Sequence, residues 1–115
     1  MTQVMVANKA ELKRGEMRSV NIAGRDVLLA RIGDTYYAAE NRCPHLGGKL
    51  AEGTLEGTVV TCPLHGSQFD LSDGRVVRWT NFTGLAAKVG NLLKSPSPLV
   101  TYRVKIEGDD VLVEM

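Results

Sequence analysis

Asn41-Arg42-Cys43-Pro44-His45-Leu46-Gly47-Gly48 and Thr61-Cys62-Pro63-Leu64-His65-Gly66-Ser67 are the two stretches on which the reading of this chain turns. Each pairs one thiol with one imidazole, as C-x-H in the first and C-x-x-H in the second. Sixteen residues separate His45 from Cys62, and the chain contains no other cysteine and no other histidine. A composition that spends all its soft and borderline ligands on two matched segments points to one shared metal site. Pro44 and Pro63 follow the cysteines directly and bias each of them toward extended backbone. Gly47, Gly48 and Gly66, just past the histidines, let the chain turn sharply and approach an inorganic core.

Several chemistries compete for such a pattern. Two thiolates on one iron and two imidazoles on the other would suit a [2Fe–2S] cluster. A Cys₂His₂ zinc site uses acceptable ligands, but zinc claws usually pair cysteine with cysteine and histidine with histidine. A Cys43–Cys62 disulfide would leave both histidines unexplained, and it fits poorly with a reducing compartment. Nucleophilic Cys–His catalysis needs one such pair, not two.

The rest of the chain sets the frame. At 115 residues it is long enough for one domain with its own core, here taken as residues 1–115. A net charge of +1 with mixed signs gives no basic footprint for nucleic acid. No run approaches the ~20 apolar residues of a membrane helix. The first sixteen residues lack the apolar core of a secretory signal, so a cytoplasmic location is expected.

Working outward from the two loops, most segments read as short strands between turns. Val4–Ala7 opens the series, and 17–22 and 25–32 flank Ala23-Gly24, followed by 35–39 after Gly33-Asp34. Residues 54–61 read as two strands around Glu56-Gly57, 67–71 and 76–79 bracket Ser72-Asp73-Gly74, and 102–106 and 111–114 close the chain. This spacing predicts an all-β antiparallel sandwich or small barrel. Leu85, Ala86, Val89, Leu92 and Leu93 recur at helical spacing, which predicts one short helix near residues 84–94, ended by Pro96 and Pro98. Trp79, Tyr36, Tyr37 and Tyr102 are expected to pack in the core, and Glu52, Glu56 and Asp70 to lie on the solvated surface.

The strings NRCPHLGGKLAEG and VVTCPLHGSQFDLSDG resemble the two cluster-binding loops of Rieske-type [2Fe–2S] proteins. The resemblance extends over nearly the whole chain and departs from the family near residues 80–100. It implies that Cys43 and Cys62 hold the inner iron and that His45 and His65 hold the outer one. It also implies a small cluster-binding subdomain, about residues 41–76, inserted in a larger β base, with Pro96 to Leu99 as a shielding loop. High-potential members add a cysteine in each loop, and these form a disulfide; Leu64 and the neighbourhood of Gly48 stand at those positions here. Those members also direct a serine and a tyrosine hydroxyl at the cluster. Ser67 matches the serine, whereas Phe69 has no hydroxyl to donate, which places the expected potential in the lower part of the roughly −150 to +300 mV Rieske range.

No histidine remains for the mononuclear iron of an oxygenase, and no G-x-G-x-x-G marks a dinucleotide site. The resemblance therefore implies a one-electron carrier rather than an enzyme, working between a flavoprotein reductase and a terminal oxygenase or similar acceptor. The alternative is the electron-transfer small subunit of a larger reductase, similar to that of nitrite reductase.

Overall fold

The computed structural model describes residues 3–44, 47–64, 66–78 and 98–115. Among these residues the chain forms ten antiparallel strands: β1 (Gln3–Asn8), β2 (Met17–Ile22), β3 (Arg25–Ile32), β4 (Thr35–Glu40), β5 (Thr54–Glu56), β6 (Val59–Thr61), β7 (Gln68–Asp70), β8 (Val76–Arg78), β9 (Thr101–Glu107) and β10 (Asp110–Glu114). Two single 3-10 turns, Lys9–Glu11 and Leu50–Glu52, interrupt them. The strands fall within a residue of the positions read from turn chemistry. The helix expected near residues 84–94, and Trp79, lie outside the described residues.

Local chemistry explains the hairpins. Between β2 and β3, Ala23 at φ 52° and Gly24 at φ 85° form a turn with both central residues left-handed. Such a turn has the twist that lets two strands pair without a longer loop. The Asn21 side chain accepts the Gly24 N–H at 3.1 Å and completes it.

The strands form two sheets. One has six strands in the order β1-β10-β9-β4-β3-β2, and its edge strands β1 and β2 approach each other, curling it toward a barrel. The other has four strands in the order β5-β6-β7-β8 and lies in the chain between β4 and β9.

β3 divides the interior. Successive strand residues point to opposite faces, and Val27, Leu28, Leu29 and Ala30 are all fully buried. Val27 and Leu29 face the curled interior with Leu12, Tyr36, Val111 and Val113. Leu28 and Ala30 face outward from it, into a second core with Leu50, Val60, Phe69 and Leu71. Both faces of β3 are therefore covered, and the small sheet packs on the outer face of the large one.

The tyrosines behave as expected for packing residues: Tyr36 is buried, and Tyr37 and Tyr102 pack against the two cores. Glu52 and Glu56 are exposed. Asp70 is not; it is only 6 % exposed, contrary to the surface position expected for it. Its carboxylate accepts the Ser72 N–H at 2.9 Å, the Ser72 hydroxyl at 2.6 Å and Arg75 Nη2 at 3.2 Å. Those bonds turn the chain between β7 and β8, and burial is tolerated because the charge is fully partnered.

Candidate metal centre

The first ligand loop leaves β4 through Asn41, which is 2 % exposed. Its backbone N–H donates to the Asp26 carbonyl at 3.0 Å and its Nδ2 to Asp26 Oδ2 at 3.2 Å. Its Oδ1 accepts the Ala51 N–H at 2.7 Å. One side chain thus ties the end of β4, the start of β3 and the 3-10 turn at Leu50 together. The loop running from Arg42 to Lys49 is closed at both ends by this pin.

Inside the two loops the backbone repeats itself. The Cys43 N–H donates to the Gly48 carbonyl and the Gly47 N–H to the Cys43 carbonyl, both at 2.8 Å. In the second loop the Cys62 N–H donates to the Ser67 carbonyl at 2.8 Å and the Gly66 N–H to the Cys62 carbonyl at 3.2 Å. Each loop is therefore a six-residue turn headed by Cys-Pro and closed five residues on. The fourth residue after each cysteine is glycine at positive φ, 75° for Gly47 and 71° for Gly66, a backbone region costly for residues with a Cβ. On this common scaffold, histidine stands at the second position after cysteine in one loop and at the third in the other. His45, Leu46 and His65 lie outside the described residues.

The two cysteines share one core. Cys43 and Cys62, 2 % and 3 % exposed, belong to the same apolar core as Leu28, Phe69 and Leu99. They are not joined in a disulfide. A Cβ on Gly48 would stand 2.9 Å from Cys62 Sγ and 2.9 Å from Leu64 Cδ1, so the first loop runs directly against the second. Leu64 lies over Gly48, so an apolar side chain of the second loop covers the first. Two buried thiols in one core, each on a segment whose sequence also carries a histidine, fit the mixed ligand set of a [2Fe–2S] cluster with two histidines.

The loops also bury two polar side chains, Asn41 and Ser67. A cavity of about 500 Å³ opens beside Cys43 and Pro44 and is bounded across from them by Pro98 and Leu99. The Leu99 N–H donates to the Gly74 carbonyl at 2.8 Å, which brings that segment back to the loops. Pro96, the other proline of the expected shielding loop, lies outside the described residues. Glu40 accepts the Tyr102 hydroxyl at 2.5 Å, and Arg25 Nη1 donates to the same hydroxyl at 3.3 Å. Burial, and then the Glu40 carboxylate, raise the Tyr102 hydroxyl above its ordinary pKa. The hydroxyl and N–H of Ser72 hold the Asp70 carboxyl below the usual carboxylate range.

The profile of the Rieske [2Fe-2S] domain matches residues 2–95. The chain belongs to the Rieske family. Its relatives include the ferredoxin component of the naphthalene 1,2-dioxygenase system of Pseudomonas aeruginosa, 32% identical over 91% of this chain and 88% of that protein. The ferredoxin component of biphenyl 2,3-dioxygenase from Rhodococcus jostii (strain RHA1) is 30% identical over 100% of this chain and 94% of its own. Among solved structures, the ferredoxin of carbazole 1,9a-dioxygenase from Nocardioides aromaticivorans IC177 superposes with a TM-score of 0.79 at 30% identity, covering 98% and 97% of the two chains. This Rieske chain is thus a cluster-binding electron-transfer domain rather than a catalyst in its own right. Among its described residues, no helix is long and apolar enough to cross a membrane.

Reading the sequence found both cysteines but not their supports. Asn41 and Asp70 fix the entry to the first loop and the turn after the second. Asp70-Leu71-Ser72 carries the signal of a side-chain-capped turn; Asn41 gives none, because its partners lie 10 and 15 residues away.

Proposed function

We propose that this Rieske protein is a ferredoxin-type carrier that holds its cluster on Cys43, His45, Cys62 and His65. It takes electrons from a flavoprotein reductase and delivers them to a terminal aromatic-ring oxygenase. The observation that carries the reading is the pair of buried thiols heading two turns of the same hydrogen-bonded design. When bound, the cluster accepts and releases one electron without making or breaking a bond to substrate. The residues of the chain supply the rest. Cys43 and Cys62 bring thiolate charge into the apolar core. Residues 41–76 act as the cluster-binding unit, and the six-stranded sheet serves as its base.

The relatives named above are ferredoxin components of ring dioxygenase systems, and the resemblance covers their length, which supports an oxygenase as the acceptor. The reductase follows from the same arrangement, since nothing in the chain resembles a dinucleotide site. Thiolate ligands must stay reduced until loaded, which favours the cytoplasm. Absorption and EPR spectra before and after dithionite test the reading. A coloured protein whose reduced form gives a signal with average g below the free-electron value supports it. A colourless protein containing zinc, silent after dithionite, overturns it.

A further inference from the structure

The two cysteines follow strands that belong to different sheets. Cys43 comes three residues after the end of β4, in the large sheet, and Cys62 directly after β6, in the small one. A cluster shared between them needs those strand ends held at a fixed separation. The backbone bonds inside each ligand loop shape that loop but do not place it against the other.

The tie between them runs through Asn41. Its Nδ2 donates to the Asp26 carboxylate on β3, and its Oδ1 accepts the Ala51 N–H beyond the first loop. Ala51 belongs to the 3-10 turn Leu50–Glu52, whose Leu50 is buried in one core with both cysteines. The turn ends at Gly53, where a Cβ would collide with the carbonyl oxygen of Thr61. Thr61 is the last residue of β6, it pairs with Thr54, and Cys62 follows it. The path from β3 to the second cysteine thus crosses one side chain, one short turn and one backbone contact.

A carboxamide suits this place. The Ala51 N–H needs an acceptor and the Asp26 carboxylate needs a donor, and the asparagine side chain offers both on one short, rigid plane. Asp26 is itself braced, because its Oδ1 accepts the Ser19 hydroxyl of β2 at 2.5 Å. Asn41 is shut off from solvent, so losing either partner carries the full penalty of a buried unpaired group.

We propose that Asn41, held by Asp26, is the positioning residue that sets the separation of the Cys43 and Cys62 segments, and with it the geometry imposed on the cluster. It acts through Ala51 and the 3-10 turn, not as a ligand. This rests on the carrier reading, and the test separates the two.

Asn41→Asp sets two carboxylates face to face. Combining it with Asp26→Asn restores the bond in the opposite direction, the new amide donating to the new carboxylate. The dithionite-reduced holoproteins are compared by EPR line shape, by bleaching in the iron chelator bathophenanthroline disulfonate without denaturant, and by urea midpoint. Asn41→Asp is expected to bleach at least about fivefold faster than the natural protein and to broaden the EPR lines. Asp26→Asn keeps an acceptor for the Asn41 amide, so its effect is smaller. The double variant should return to within about twofold of Asp26→Asn in bleaching rate, with its line width restored. Val111→Ala cuts the other core, so it should lower the urea midpoint and leave the line shape unchanged. That contrast separates positioning from stability. If Asn41→Asp holds no cluster, the double variant should hold one. Natural bleaching and line shape in Asn41→Asp overturn the proposal, as does a double variant no better than Asn41→Asp, or equal broadening by Val111→Ala. Any of these failures, with the EPR signal of the natural protein present, leaves the carrier reading standing; a natural protein that is colourless and EPR-silent overturns that reading instead.

Discussion

Gly48→Ala is the sharpest probe of how the two ligand loops meet. The backbone of Gly48 is not left-handed, so alanine adopts it without strain and the effect is steric. The added methyl would sit 2.9 Å from Cys62 Sγ, 2.9 Å from Leu64 Cδ1 and 3.0 Å from Leu64 Cγ. Ordinary carbon contacts lie near 3.5–4.0 Å, so the overlap is about half an ångström or more on each. Leu64 is exposed and can swing away; Cys62 is buried and held in its turn by two backbone hydrogen bonds. The unrelieved part is therefore the contact with the sulfur, and overpacking of this kind costs about 1–3 kcal/mol. If that strain is released in the unfolding transition state, loss of visible absorbance in urea accelerates about 5- to 150-fold. The assay is the bleaching rate of the natural protein, Gly48→Ala, Leu64→Ala and the double variant. Leu64→Ala should rescue Gly48→Ala only in part. Bleaching of Gly48→Ala at the natural rate, or full rescue by Leu64→Ala, would refute the crowding of Cys62.

Other substitutions address different parts of the site. Cys43→Ser and Cys62→Ser should each give a colourless protein without the reduced-state EPR signal, since a buried hydroxyl replaces the thiolate; retention of the natural spectrum by either removes that cysteine from the ligand set. Phe69→Tyr should raise the midpoint potential by adding a hydroxyl donor, and the natural protein should titrate in the lower part of the Rieske range, so a natural midpoint above about +150 mV contradicts the assignment of Phe69. Asp70→Asn should destabilise the fold by about 1–3 kcal/mol near neutral pH, because Ser72 and Arg75 lose a charged acceptor. The Asp70 carboxyl is held below its unfolded pKa, so its contribution is complete above the unfolded value and disappears as pH falls through the folded one. Urea melts of the natural protein and Asp70→Asn should converge at low pH, and a pH-independent gap between them would count against the partnered carboxylate.

Where the sequence and the structure agree, the information is local. Ala23-Gly24 announces its turn because two adjacent left-handed residues are needed there, and the flanking strands inherit their ends from it. Cys-Pro and the glycine four residues later set each ligand turn through bonds that span no more than five residues. Phe69 and Asp70 fall in the strand that the sequence predicts over 67–71, but the burial of Asp70 is not legible there: an acidic residue flanking a turn looks solvated until Ser72 and Arg75 close on it.

The chain by itself therefore determined the two Cys/His segments, the turns that close them and the positions of the strands along the sequence, because all of these depend on neighbours a few residues apart. Only the tertiary structure decided that Val27 and Leu29 serve one core while Leu28 and Ala30 serve another. Alternation along a strand names two faces but not what covers each. It likewise decided that Asn41 reaches both Asp26 and Ala51, that Leu64 rests on Gly48, and that Arg78 grips Gly66. Strand pairing brings Asn41 to Asp26 and Arg78 to Gly66, and loop packing brings Asn41 to Ala51 and Leu64 to Gly48, so no local pattern along the chain encodes these contacts.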